Sequence, residues 1–218
     1  MENLERIETK YNFEYPRLYK QLYSDKMLEF GKAGPKWFSE TFPKLKTNPP
    51  LLLFANEYEF IEFDDDYLFN ERFKNPGIFH NPDLRLIPLA GNGAGDYYCF
   101  YLNGEQDNDI PIVFVWHDTD QIDYQSKNLQ DFIFLKMLET VYEFDEDSIV
   151  MDGDFTANIL SMLKTHKKYL TARQAQIIEQ IYQRAFNENG LLSDLEFTQI
   201  IIDNINFDKL NQHFKYIE

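Results

Sequence analysis

His117 is the residue best placed by type to do chemistry, because it stands next to Asp118 and three residues before Asp120. A histidine among carboxylates has the parts of a general base with an orienting acid. Neighbours along a strand point to opposite faces, however, so adjacency alone does not bring His117 and Asp118 together. No Gly-x-Ser-x-Gly elbow supplies an activated serine. The run Trp116-His117-Asp118-Thr119-Asp120 therefore reads as a strand end, and no residue is assigned a catalytic role. A small hydrolase or transferase using His117 with Asp118 or Asp120 stands as the alternative.

The second stretch with chemical appearance runs from Leu86 to Leu102. An apolar run meets Gly91, Gly93 and Gly95, and Asp96 then opens an aromatic segment. A phosphate-cradling glycine loop must deliver the chain into a helix N-terminus. Here Tyr97, Tyr98, Phe100 and Tyr101 follow, and such residues favour a strand. Gly91, Gly93, Gly95 and Asp96 are expected to form a structural turn: glycine tolerates positive φ, and aspartate bonds nearby turn amides. Metal chemistry lacks its parts. His80, His166 and His213 are scattered, and Cys99 is the single cysteine. Asp118-x-Asp120 and Asp145-x-Asp147 imitate the opening of a calcium loop, but Ile122 and Ile149 occupy the next ligand position. Neither metal nor cofactor is expected.

The elements that must carry these residues follow from periodicity. Leu4, Ile7 and Tyr11 share one helical face, and Pro16 suits the start of a second helix bearing Leu18, Tyr19, Leu22 and Tyr23. Gly31, Gly34 and Asn48-Pro49-Pro50 are breaks around Trp37 and Phe38, which suit a short helical turn. Tyr58 to Phe63 suggests extended structure. Leu84 to Leu89, Tyr97 to Leu102 and Ile112 to Trp116 read as strands. Pro88 points to an edge or a strand end, and the unbroken run at Ile112 points to a central strand buried on both faces. Short turns between consecutive strands argue for an antiparallel meander. A helix capped by Ser126 or Asn128 follows, with Leu129, Phe132, Ile133, Met137, Val141 and Phe144 on one stripe and a stop before Asp145. Asp152-Gly153-Asp154 reads as a turn, and Phe155 to Leu163 as a helix. Thr171/Gln174 and Ser193/Glu196 fit capping boxes, with Asn189-Gly190 as a helix stop between them. The expected architecture is α+β: a meander sheet packed against helices in residues 1–149, and a C-terminal helical extension in 150–218 packed on it.

Charge is unevenly placed. The chain of 218 residues has a formal net charge of -16. Residues 55–149 carry five Lys and Arg against twenty-one Asp and Glu, so they hold the whole excess. Such a field attracts a cationic partner and repels nucleic acid, whose phosphates need clustered Lys and Arg. One cysteine excludes an intrachain disulfide and suits a reducing compartment. No apolar stretch approaches the roughly 20 residues that cross a bilayer. The expectation is a soluble cytoplasmic protein that binds neither nucleic acid nor membrane.

Several segments together resemble the SUKH superfamily, which includes bacterial toxin-immunity proteins and cell-wall-assembly regulators. Tyr15-Pro16-Arg17-Leu18-Tyr19-Lys20-Gln21-Leu22 resembles its early helix. Ile87-Pro88-Leu89-Ala90 through Gly95-Asp96-Tyr97-Tyr98-Cys99 is similar to its strand, glycine turn and Gly-Asp strand start. Val113 to Asp118 is similar to the next strand, and Leu129 to Leu138 to the helix after it. Phe100-Tyr101 stands where members commonly place an acidic residue. The resemblance covers about residues 1–145 and implies a non-enzymatic immunity protein that occludes the active site of a cognate toxin, many such toxins being nucleases. An intracellular scaffold or regulator is the further alternative. Charge, rather than any family motif, nominates the partner-binding residues: Glu57, Glu59, Glu62, Asp64, Asp65, Asp66, Asp118, Asp120 and Asp123. The toxin's identity and the oligomeric state stay open.

Overall fold

The computed structural model describes residues 2–61, 83–106, 109–142, 144–184 and 191–215. Among them, six strands bond to one another in chain order, each antiparallel to its neighbour: β1 (Glu59–Phe60), β2 (Leu86–Gly91), β3 (Tyr97–Tyr101), β4 (Ile112–Val115), β5 (Gln121–Ser126) and β6 (His213–Lys215). The expected α+β meander is therefore present. Two of its strands were not expected. β5 alternates Ile122 and Tyr124 with polar residues over only six positions. β6 comes from the far end of the chain and is three residues long.

Pro88 does not mark an edge, because β2 lies between β1 and β3. Its missing N–H is tolerated for two reasons. The register with β3 shifts between Pro88 and Ala90, and β1 pairs only with Ala90 and Gly91. β4 is central and buried at all four positions, as its unbroken apolar run requires.

The chain forms two compact units. The first comprises residues 1–20, 57–132 and 207–218, and the second residues 21–56 and 133–206. Residues 133–149 thus group with the C-terminal helices, and 207–218 with the sheet.

In the first unit both sheet faces are apolar, since side chains alternate across a strand. One face gathers Cys99, Val113, Val115 and Ile122, all buried, with Tyr97, Leu86 and Ile61; Tyr101, Tyr124 and Phe214 pack against them. Phe207 meets Tyr124 edge-on at 5.7 Å. The other face carries Tyr98, Phe100 and Phe114. Tyr98 lies 5.1 Å from Phe132 and 4.8 Å from Phe114, and Phe100 meets Tyr19 at 5.3 Å and Tyr15 at 5.9 Å. Those tyrosines are placed by α1 (Glu2–Tyr11) and the start of α2 (Arg17–Ser24). The Pro16 carbonyl accepts from the Lys20 N–H, so the proline opens the second helix where its lack of a donor is harmless. Each such aromatic contributes about 2 to 3 kcal/mol by burial.

The second unit is helical. A π-helical turn (Trp37–Thr41) leads into α3 (Phe42–Leu45), and the buried run Leu51 to Ala55 follows as turns. α4 (Leu129–Glu139), which begins in the first unit, starts on the Asn128 side chain, which accepts from the Asp131 N–H at 2.9 Å. It is buried nearly all round rather than on one stripe: even Asp131 and Lys136 are 5% exposed. It ends at Glu139, so Val141 and Phe144 lie beyond it. α5 (Phe155–His166) is capped by Asp154, directly after the Gly153 turn at φ 83. α6 (Ala172–Tyr182) has both halves of the Thr171/Gln174 capping box. α7 (Asp194–Asn204) has one half: Ser193 accepts from the Glu196 N–H, while the Glu196 carboxylate binds both terminal nitrogens of Arg184. The Asn189-Gly190 stop lies outside the described residues.

Candidate functional site

Among the described residues, strand register brings the expected site residues to one end of the sheet. A single row crosses all six strands there: Glu59, Gly91, Tyr97, Val115, Ile122 and Phe214 are successive partners. Just beyond this row lie the start of β1, the β2–β3 turn, the β4–β5 turn and the end of β6. At roughly 4.8 Å per strand, β1 to β5 span about 19 Å.

The glycine turn is built on Asn92. Its side-chain oxygen accepts from the Ala94 N–H at 3.1 Å and the Asp96 N–H at 2.9 Å, and its backbone N–H donates to the Asp96 carbonyl. Gly95 sits at φ 97, a left-handed position that disfavours any side chain. Gly91 closes β2. Gly93 faces outward, with the Glu59 carboxylate 3.7 Å from where a Cβ would lie.

Asp96 ties this turn to the next. Its Oδ1 accepts from the His117 N–H at 2.8 Å and lies 2.7 Å from the His117 Nδ1, while the Asn92 amide donates to its Oδ2 at 3.0 Å. Asp96 is 3% exposed. Burial pushes its carboxyl upward, but the hydrogen bonds from His117 and Asn92 outweigh it and hold the group below its ordinary value. The imidazole is 44% exposed. The histidine's carboxylate partner is thus Asp96, twenty-one residues away, rather than Asp118 or Asp120. Sequence reading missed this pairing because strand order, not proximity, creates it.

Trp116 also has a fixed place. Its indole N–H donates to Asp123 Oδ2 at 2.7 Å, and Gln121 donates to the other oxygen at 2.7 Å. Its ring meets Phe114 edge-on at 5.0 Å, which continues the stack to Tyr98 and Phe132. Trp116 remains 36% exposed. The sequence signal was the alternation of Phe114 and Trp116, which places both rings on one face.

The remaining nominated residues separate. Glu57 and Glu59 are exposed at the start of β1, and Glu57 adopts φ 54. Asp118 is exposed on the β4–β5 turn, and Asp120 pairs with Lys215 of β6 at 3.1 Å. Glu62, Asp64, Asp65 and Asp66 lie outside the described residues. The first unit as a whole carries ten Lys and Arg against 22 Asp and Glu, a net of -12, and the second eleven against fifteen, a net of -4. Among the described residues no group of His, Cys, Asp and Glu gathers as metal ligands, and no helix is long and apolar enough to cross a membrane.

The model of the SMI1 / KNR4 family (SUKH-1) matches residues 1–134. That span contains β1 to β5 and every residue of the sheet end except those of β6. No curated protein and no solved structure matches the chain.

Proposed function

Because the chain belongs to the SMI1 / KNR4 family (SUKH-1), we propose that it is a cytoplasmic immunity protein that neutralises a cognate bacterial toxin by covering its active site. The observation that carries this reading is the sheet end. Glu57, Glu59, Asp118 and Asp123 share this end with Trp116, a partly exposed tryptophan that its bond to Asp123 already holds in one orientation. A nuclease groove is cationic because it holds phosphates. A carboxylate-rich surface gains encounter rate with such a groove by long-range attraction, and a fixed aromatic anchor gains lifetime once docked. Locking Trp116 beforehand lowers the entropy lost on binding. Glu62, Asp64, Asp65 and Asp66 add to the negative charge of the partner-binding residues in this proposal, and Asp120 contributes after release from Lys215. The molecule transforms nothing itself and uses no cofactor.

The test is co-expression with the product of the adjacent gene. Protection by the wild type, lost when Trp116→Ala is combined with Asp118→Lys and Glu59→Lys, supports the proposal. An association rate that falls several-fold between low and physiological salt supports its electrostatic part. A neighbouring product that harms no cell, or one that kills despite co-expression, removes the reading.

The Asp96–His117 pair favours one rival, a hydrolase or transferase with Asp96 orienting the histidine. His117→Ala separates the two: loss of protection without loss of any turnover fits binding, and loss of turnover of a defined substrate fits catalysis. The regulator alternative predicts binding to an endogenous cellular partner and no protection.

A further inference from the structure

α7 presents a socket on its outer face. Leu195, Thr198, Gln199 and Ile202 are all exposed, Leu195 at 80% and Ile202 at 66%. Their spacing, i, i+3, i+4 and i+7, is that of the four residues that surround one knob in a coiled coil. Leu195 and Ile202 lie about 10.5 Å apart along the axis, with Thr198 and Gln199 as the floor. The inner face is already used. Ile201 is buried, Phe197 stacks on Tyr142 at 4.2 Å and 9°, and Glu196 holds Arg184.

We infer that this socket takes a cationic amphipathic helix of the partner, one apolar side chain entering between Leu195 and Ile202. The argument for that occupant is charge. Asp194 and Asp203 lie about 90° to either side of the stripe's centre, by the helical rotation of roughly 100° per residue. Both are exposed, and Asp203 has one oxygen engaged, by Gln199 at 2.8 Å. α7 has three carboxylates and no Lys or Arg. A second copy of this chain would set acidic flank against acidic flank, so charge disfavours pairing α7 with itself. A helix carrying Lys or Arg on either side of its apolar knob matches both flanks. α7 also lies beyond the family-matched residues 1–134. That position suits the socket to telling one toxin from another.

The inference rests on the immunity reading, and the experiment keeps the two apart. The inactivated product of the adjacent gene is titrated calorimetrically into the full chain, into Leu195→Lys/Ile202→Lys and into Leu195→Met/Ile202→Leu. Both positions are exposed, so far-ultraviolet circular dichroism is expected to match the wild type. The expected result is binding weakened at least 30-fold by the lysine pair and within threefold of wild type for the apolar pair. Equal affinity for all three overturns the socket and leaves the immunity reading standing. No binding to the wild type overturns both. Sedimentation of the chain alone at 10 to 200 μM is the remaining arm: a dimer dissolved by the lysine pair assigns the socket to a second copy and overturns the cationic helix.

Discussion

Lowering the pH from 7 to 5 should cost this protein about 2 kcal/mol of stability through one side chain, His166. The imidazole is fully buried at the end of α5. The Leu52 N–H donates to its Nε2 at 2.8 Å, so that nitrogen must keep its lone pair and the proton sits on Nδ1. Nδ1 in turn donates to the Met162 carbonyl at 2.9 Å. A second proton would set N–H against N–H and release Leu52, a buried residue held at φ 56. Burial therefore lowers the pKa from 6.5 to about 4, the bond to Met162 opposing it slightly. The unfolded chain takes up the proton first. Stability is thus whole above the unfolded value and falls as pH drops from 6.5 through about 4. Linkage gives about 2 kcal/mol lost by pH 5 and roughly 3 kcal/mol by pH 4, at 1.36 kcal/mol per unit. Carboxylates and the other histidines also titrate, so the measured quantity is a difference. Urea unfolding at 25 °C, pH 7.5 to 4.5, is compared between wild type and His166→Gln. The introduced amide oxygen supplies an acceptor for the Leu52 N–H, and the amide does not titrate. The wild type should lose about 2 kcal/mol more than the variant between pH 7 and 5. Parallel stability curves would refute the neutral, lone-pair-accepting His166.

Other outcomes follow from the same contacts. Asp96→Ala leaves the His117 N–H and the Asn92 amide without their acceptor at a site 3% exposed; denaturant unfolding should show a loss of about 1 to 3 kcal/mol. Thr171→Ala and Ser193→Ala each remove one capping acceptor, for the Gln174 N–H at 3.2 Å and the Glu196 N–H at 3.3 Å, and each should cost about 1 kcal/mol in the same assay. Truncation after Asn206 deletes β6, Phe207 and Phe214, uncovers Tyr101 and Tyr124 and leaves β5 as an edge. Phe207 and Phe214 are each partly buried, which corresponds to less than the roughly 3 to 6 kcal/mol of two fully buried phenylalanines, and the truncated chain should bind hydrophobic dye and elute as aggregate. A soluble monomer with an unchanged urea midpoint would contradict that placement of β6.

Local chemistry was enough for much of the fold. Apolar runs and turn residues marked β2, β3 and β4, and short connections made their meander antiparallel, because a hairpin needs no crossover. Capping residues located the starts of α4, α6 and α7, since a hydroxyl or amide beside an orphan N–H acts within four residues. What escaped were partnerships across the chain. Asp96 meets His117, Asp120 meets Lys215, Leu52 meets His166 and Phe214 completes a core begun at Leu86 only because strand order and helix packing bring distant segments together. No periodicity encodes such a meeting, because the choice among many polar partners is made by which backbone lies alongside. The amino-acid order determined β1 to β4, the main helices and where the negative charge is carried. Only the folded chain decided which carboxylates are already engaged, and so which ones remain to meet a partner.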